Sequence, residues 1–135
     1  MKLFGVGTDI IQVNRLKKSL NKKPFLSRIY SKEEILKCKR NKVNFNCFAK
    51  RFAAKEAFSK ALGTGISRGI KFNEIVILNK KNGKPYVKLL NNTKLIVEKL
   101  LKKKKYKISL SISDESNYAV AFVTISIWKK TKFIN

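Results

Sequence analysis

The sequence predicts an α+β domain in which helices pack on one face of a small antiparallel sheet. Apolar residues in the first half of the chain recur at helical spacing, whereas those in the second half alternate as they do in strands. A short apolar segment at residues 2–8 precedes the helices and is suited to join the later strands. With 135 residues and 44% hydrophobic content, the chain is expected to form a single domain over residues 1–135.

The first helix is predicted to follow the first strand directly. Its apolar residues are three or four positions apart: Ile10, Val13, Leu16 and Leu20. Asp9 stands at the junction, where an Asp side chain often accepts a backbone N–H as a helix N-cap. That capping role competes with a functional role for Asp9, which is one of only two aspartates in the chain.

Two more helices are predicted before the middle of the chain. Ser31 and Glu34 have the spacing of a capping box, which starts a helix that runs to about Arg40. Residues 48–62 form the next helix, and Gly63 is suited to end it with a positive φ.

The second half is predicted to contain two hairpins and one helix. Residues 72–79 and 86–90 pair around an Asn82-Gly83 turn that needs positive φ. Asn92 is expected to cap a helix that ends near Leu101, with the lysines of residues 102–105 as its solvated end. The strands of the second hairpin are residues 106–113 and 118–127, and the tail at 128–135 is expected to be a short polar or docked end.

The formal charge of +24 suggests a nucleic-acid partner, but its distribution argues against specific recognition. The chain has 27 lysines and 5 arginines, spread among many Asn and Ile residues whose codons are also rich in A and T. Mutational bias accounts for this pattern better than a selected patch does. Because arginine is preferred for bidentate recognition, no specific nucleic-acid binding is predicted, although the charge should attract acidic partners.

Several classes of protein are excluded by what the sequence lacks. Without histidine there is no Ser-His-Asp system and no H-E-x-x-H zinc site. No apolar run reaches the roughly 18 residues of a membrane span, and the first residues do not form a signal peptide, so a cytoplasmic protein without a membrane partner is expected. Cys38 and Cys47 lack C-x-x-C spacing and are expected to be reduced and structural.

The central helix carries the most informative residues. Glu56 and Lys60 are four positions apart and therefore project from one face, just before the Gly63-Thr64-Gly65 turn. An ordinary solvated ion pair before a helix cap would explain these residues too. The small apolar residues around Glu56 favour a functional role, because a solvated face would supply polar neighbours.

A magnesium site would require a second carboxylate near Glu56. If the first strand packs beside the central helix, Asp9 and Glu56 could converge on one Mg²⁺, which takes one or two protein carboxylates together with water and phosphate oxygens. Lys60 would then add positive charge for the same phosphates, and the glycine turn would let the backbone approach them. The chemistry predicted from these residues is phosphoryl transfer.

Four segments together resemble the holo-[acyl-carrier-protein] synthase family of 4'-phosphopantetheinyl transferases. They are GVGTDII at residues 5–11, RFAAKEAFSKALGTGI at 51–66, NGKP at 82–85 and SISDESNYAVA at 111–121. The resemblance runs nearly end to end, and it implies the fold of that family. It also implies a cytoplasmic homotrimer with active sites between subunits.

The resemblance implies transfer of 4'-phosphopantetheine from coenzyme A to a serine of an acidic apo-acyl carrier protein, as fatty acid biosynthesis requires. Adenosine 3',5'-bisphosphate is the other product. The alternative is a non-catalytic basic protein that binds RNA or the ribosome. Weighing the carrier after incubation with coenzyme A and Mg²⁺ separates the two.

Site residues follow by position from the same resemblance. Asp9 and Glu56 match the magnesium ligands, and Lys60 matches a phosphate-contacting lysine, so these three are the predicted catalytic residues. The predicted coenzyme A contacts are Ser59, Lys60, Gly63, Thr64 and Gly65, together with Asn82, Gly83, Lys84 and Pro85 of the adjacent subunit. Arg15 and Arg28 match positions that face the carrier protein.

The general base for the carrier serine is left open between Glu56 and a magnesium-bound water. Many relatives place a histidine in the closing turn, where this chain has Ile112-Ser113-Asp114-Glu115, so a mechanism that needs this histidine does not apply to it; Asp114 and Glu115 are the acidic residues of this segment. Both are interpreted as turn residues.

Overall fold

The computed structural model describes residues 1–65 and 68–129, so Ile66 of the central motif and residues 130–135 of the predicted tail lie outside the described residues. The elements in chain order are β1 (Lys2–Gln12), α1 (Val13–Leu20), α2 (Lys23–Ile29), α3 (Lys32–Cys38), α4 (Phe45–Leu62), β2 (Ile75–Asn79), β3 (Pro85–Leu89), α5 (Asn91–Leu100), β4 (Lys105–Asp114) and β5 (Tyr118–Trp128). The three-stranded antiparallel sheet has the order β1-β5-β4, and β2 and β3 form a separate hairpin. The predicted α+β class is confirmed.

The long helix α4 lies directly against strand β1. Gly5 and Gly7 are two residues apart and therefore face the same side of the strand. A Cβ atom on Gly5 would overlap the carbonyl oxygen of Ala61, and one on Gly7 would overlap that of Ala57. The absence of side chains at these glycines lets the two backbones touch.

The central strand β5 has one buried and one exposed face. Its inward residues Ala121, Val123 and Ile125 join the main core together with α4. The opposite side of the sheet, here called the outer sheet face, exposes large apolar side chains from β1 and β5. They include Val6, Ile10, Tyr118, Val120 and Phe122.

The start of the first helix differs from the prediction. Ile10 belongs to β1, where it pairs with Val120, and α1 begins only at Val13. Ile10 is three residues before Val13 and so fits the helical spacing, but it is an apolar strand residue whose side chain lies on the outer sheet face. Asp9 is not an N-cap, since it is a strand residue paired with Ala121.

Helix α2 was not predicted from the sequence. It has no buried residue to mark a periodic face, and Pro24 stands at its start. The Ser31–Glu34 capping box is confirmed by reciprocal bonds of 3.0 and 3.2 Å, and α3 then ends at Cys38 rather than near Arg40.

The prediction that Cys38 and Cys47 are reduced is wrong for this structure. The two residues form a disulfide with their Cα atoms 5.4 Å apart. Cys38 ends α3 and Cys47 lies in the first turn of α4, and the Asn44 amide donates to the Cys38 carbonyl at 2.9 Å. The segment between α3 and α4 turns back at this bond, and the turn brings Cys38 and Cys47 together although their spacing matches no common motif.

Smaller corrections concern the second half. Residues 72–74 form a 3-10 turn before β2, and the N-cap of α5 is Leu90 rather than Asn92. Gly83 has the predicted positive φ, at 89°. Lys102 and Lys103 are left-handed, and Lys105 already begins β4.

Among the described residues, no helix is both long and apolar enough to cross a membrane.

Candidate active site

The glycine contact between β1 and α4 places Asp9 at the helix. Asp9 follows Gly5 and Gly7 on the same inward side of the strand, one step nearer the N-terminal end of α4. The Lys60 ammonium lies 3.2 Å from the Asp9 carboxylate and donates to the Thr8 carbonyl at 3.0 Å. The assumed approach of strand and helix is therefore present, and Lys60 pairs with Asp9 rather than with Glu56.

Glu56 is a half-buried carboxyl group next to a second acid. Burial raises its pKa above the ordinary value, and the charge of Asp9 raises it further, against the opposing effect of Lys60. The side chain of Lys60 is 53% exposed, whereas that of Asp9 is 17% exposed. The site thus holds two carboxylates that repel each other and one cation open to solvent.

The donor set of this site suits Mg²⁺ better than zinc or calcium. Within residues 1–65 and 68–129, no group of three or more His, Cys, Asp or Glu side chains could hold a metal ion. Two carboxylates alone are too few for the closed sites that structural zinc and calcium require. They match Mg²⁺, which keeps several water or phosphate ligands, and the ion would relieve the repulsion between Asp9 and Glu56.

A cavity of about 430 Å³ opens beside the two acids. Besides Asp9 and Glu56, it is lined by Ile10, Ile11, Gln12, Arg15, Leu16, Ser19, Phe25 and Phe52. Sequence reasoning missed the aromatic wall of Phe25 and Phe52. Phe52 could have been found, because it precedes Glu56 by four residues and so lies one turn away on the same helix face.

The residues predicted to bind coenzyme A on α4 and its turn have different environments. Ser59 is buried, and its hydroxyl donates to the Glu56 carbonyl at 2.8 Å. Gly63 ends the helix with φ 81°, as predicted, and Gly65 is also left-handed at 58°. Thr64 lies between them, with its hydroxyl 3.0 Å from the Gly65 carbonyl. Their role in binding coenzyme A stays a prediction.

The β2–β3 turn is not brought to the acids. Lys84 donates through its amide to the Asn82 side chain at 3.0 Å, and the Gly83 amide donates to Lys80 at 2.8 Å. Lys84 and Pro85 line a separate cavity of about 340 Å³ that includes neither Asp9 nor Glu56. Within one chain, these predicted coenzyme A contacts are therefore apart from the predicted catalytic residues.

The remaining predicted residues lie around the site. Arg15 is exposed and lines the cavity, whereas Arg28 is exposed in the last turn of α2 and does not line it. Asp114 is the last residue of β4, where it pairs with Ala119, rather than a turn residue as predicted; its carboxylate accepts a 2.9 Å bond from Asn46 and lies 3.9 Å from Lys50. The closing turn is thus tied to the start of α4.

Comparisons with known sequences identify one family. A sequence model of the 4'-phosphopantetheinyl transferase superfamily matches residues 5–123. A holo-[acyl-carrier-protein] synthase of Pelagibacter ubique is 45% identical over 127 residues, covering 93% of this chain and 98% of the relative.

Solved structures with the same fold include bound complexes. The holo-[acyl-carrier-protein] synthase of Neisseria meningitidis superposes with a TM-score of 0.80 at 38% identity, over 92% of this chain and 98% of its own. That of Helicobacter pylori, solved in complex with coenzyme A, gives a TM-score of 0.74 at 32% identity, over 90% and 99%.

Proposed function

The chain belongs to the 4'-phosphopantetheinyl transferase superfamily, and on that premise we propose that it transfers 4'-phosphopantetheine from coenzyme A to a serine of an apo-acyl carrier protein. The observation that carries this proposal is that Asp9 and Glu56 line one cavity and that Lys60 is bonded to Asp9. The relative that was solved with coenzyme A supports the choice of donor.

Asp9 and Glu56 would hold the Mg²⁺ ion that we propose as the cofactor. When bound, the ion supplies positive charge that neutralises the pyrophosphate of coenzyme A and stabilises the leaving phosphate. The protein contributes two carboxylates, and the backbone contact of Gly5 and Gly7 with α4 sets the spacing of the strand and the helix that carry them.

Lys60 and Glu56 have separate roles in the transfer. The serine oxygen forms a bond to the β-phosphorus, and the bond from that phosphorus to the bridging oxygen breaks, which leaves the electron pair on adenosine 3',5'-bisphosphate. The exposed Lys60 ammonium is placed to stabilise this charge. Glu56 accepts the serine proton, because its half-buried carboxylate lines the cavity next to Asp9.

The carrier protein is proposed to dock beside the cavity. Arg15 is exposed at the cavity, and Arg28 is exposed on the neighbouring helix α2. An acidic carrier would be attracted by these arginines and by the net charge of +24.

Three copies of the chain are proposed to assemble through the outer sheet face. Val6, Ile10, Val120 and Phe122 form an exposed apolar surface across two paired strands, and such a surface favours association. A neighbouring copy would also bring its Asn82–Pro85 turn to this chain's acids, which its own turn does not reach.

The activity is tested by weighing an apo-carrier after incubation with the chain, coenzyme A and Mg²⁺. A mass gain of one phosphopantetheine is expected, and a carrier whose acceptor serine is replaced by alanine should gain nothing. Omitting Mg²⁺ and adding a chelator should abolish the gain. No mass gain with the intact carrier would contradict the proposed transfer.

The assembly is tested separately by light scattering. Val120→Asp places a charge on the outer sheet face and should convert trimers to monomers. Leu95→Asp is the matched control, because Leu95 is an exposed apolar residue on α5. A wild-type monomer, or equal effects of both substitutions, would contradict the trimer.

A further inference from the structure

The end of β1 opposite Asp9 exposes apolar side chains that the proposed reaction does not use. Met1 is 85% exposed and Leu3 is 54% exposed, and Phe4 is also exposed. The pairing of β1 with β5 shifts register between Leu3 and Gly5, where Phe4 is an extra residue. This bulge is why two neighbouring residues, Leu3 and Phe4, both present apolar surface to solvent.

Six lysines surround these apolar groups. Two adjoining cavities at this end of the sheet are lined by residues of both kinds, including Met1, Lys2, Leu3, Phe4, Lys102, Lys104 and Lys129. A third cavity is lined by Lys103, Lys104 and Lys105 together with Tyr106 and one acid, Glu98. We call the set of Lys2, Lys102, Lys103, Lys104, Lys105 and Lys129, together with Met1, Leu3 and Phe4, the lysine corner.

Among the described residues, no lysine of the lysine corner forms an ion pair within 4.0 Å. In the described part of the chain, the ion pairs within 4.0 Å involve Lys50, Lys55 and Lys60, none of which belongs to the corner. Lys105 lies 5.7 Å from the ring centre of Trp128, so its cationic head stays available while its stem covers an aromatic surface.

The backbone between α5 and β4 presents two of these lysines in an unusual way. Lys102 and Lys103 have φ of 54° and 55°, a left-handed conformation that glycine adopts more easily. An ordinary solvated helix end does not require two consecutive non-glycine residues with positive φ. The turn carries two exposed lysine side chains at positions where glycine would be less strained.

We propose that the lysine corner docks on the surface of an anionic lipid bilayer. Clustered lysines are attracted to anionic headgroups, and the aliphatic groups of Met1 and Leu3, with the ring of Phe4, can enter the interface between headgroups and acyl chains. RNA is disfavoured as the partner, because the corner contains no arginine, the residue preferred for bidentate recognition of phosphates and bases. This proposal revises the expectation from the sequence that the protein has no membrane partner.

The docked orientation would leave the reaction centre accessible. Lys2 and Asp9 are seven residues apart on β1, which corresponds to about 20 Å of strand. The carrier and coenzyme A could therefore reach the acids while the opposite end of the strand rests on lipid.

Vesicle sedimentation of the full-length protein tests the proposal. The protein should sediment with phosphatidylcholine vesicles that contain phosphatidylglycerol, but not with pure phosphatidylcholine vesicles, and binding should weaken as salt increases. The triple variant K102E/K103E/K104E should bind at least about tenfold more weakly. Leu3→Ser combined with Phe4→Ser should weaken binding severalfold without removing any charge.

The matched control is K32E/K88E/K94E, which changes the net charge equally at three exposed lysines outside the corner. It should retain most of the vesicle binding, and light scattering should show the same assembly for the two triple lysine variants. Equal loss in both triple variants would overturn the proposal, because net charge alone would then explain binding. Absence of binding to anionic vesicles, or lysine-corner-dependent binding to RNA alone, would overturn it as well.

Discussion

Lys55 and Glu56 are neighbours on α4, but they belong to two different charged clusters, one buried and one half-open. Lys55 is fully buried, and its ammonium donates to the Glu34 carboxylate at 2.7 Å and to the carbonyls of Phe72 and Ile75 at 2.8 and 2.5 Å. Glu34 also accepts from the amides of Ser31 and Ile77. Glu56, the next residue along the helix, shares a half-open site with Asp9 and Lys60.

The difference shows how one helix can serve both the fold and the reaction. Around Lys55 the protein satisfies every donor of the ammonium, so no capacity remains for a ligand. Burial still lowers the pKa of Lys55 to about 8, against the attraction of Glu34. Around Glu56 the protein leaves two like charges incompletely compensated, which is the condition that favours binding of a cation.

The largest effect is expected from Lys55→Met. It removes the cation that forms an ion pair with the buried Glu34 carboxylate, and the free energy of unfolding should fall by about 3–5 kcal/mol. The matched control is Lys60→Met on the same helix, which removes an exposed cation and should cost less than about 1 kcal/mol. Urea unfolding measures both values, and similar losses would contradict the contrast between the two clusters.

Glu56→Gln should separate activity from stability. Phosphopantetheine transfer should fall by about 100-fold or more, because both the proposed base and a proposed magnesium ligand are lost. Stability at pH 7 should not fall, since the raised pKa means that the folded protein disfavours the ionised form of Glu56. Glu33→Gln on α3 serves as the exposed control. Near-normal turnover of Glu56→Gln would rule out its catalytic role.

Gly7→Ala tests whether the backbone contact positions Asp9. The new methyl group would overlap the Ala57 carbonyl, so β1 and α4 must separate, at a cost of about 1–3 kcal/mol. Transfer activity and Mg²⁺ affinity, measured by calorimetry, should both decline. A variant that lost stability but kept its Mg²⁺ affinity would show that the site tolerates this separation.

The smallest expected effect is the release of protons when Mg²⁺ binds. Below its raised pKa, Glu56 holds a proton that competes with the metal, so Mg²⁺ affinity should fall as pH falls through that range. Calorimetric titration in two buffers of different ionisation enthalpy should detect release of a fraction of a proton. Identical heats in both buffers would mean that Glu56 is not titrated by the metal.

Local patterns in the sequence were enough to predict the parts of the fold that carry the site. The capping box at Ser31, the helix that ends at Gly63 and the final hairpin all depend on neighbouring residues, and each is present. The packing of the first strand beside the central helix was assumed in reasoning from the sequence, but it was not predicted. Gly5 and Gly7 are the physical basis of that packing.

Features that depend on distant contacts could not be predicted. Ile10 fits a helical pattern by spacing, but its position on the outer sheet face is decided by pairing with Val120. The Cys38–Cys47 disulfide forms because two helices meet. Lys55 was not singled out, since its partners come from three segments that are separate in sequence.

The contact between α4 and the sheet also has a consequence for the composition of the whole chain. Every alanine of the protein, seven in all, belongs to α4 or β5, and all of them are buried. Alanine and glycine codons are rich in G and C, so a lineage biased towards A and T replaces these residues wherever a larger side chain fits. The alanines that persist therefore outline the surface where a methyl group is the largest group that fits. In a chain whose composition is biased towards lysine, the positions of the alanines therefore mark the contact between α4 and the sheet, which places Asp9 near Glu56.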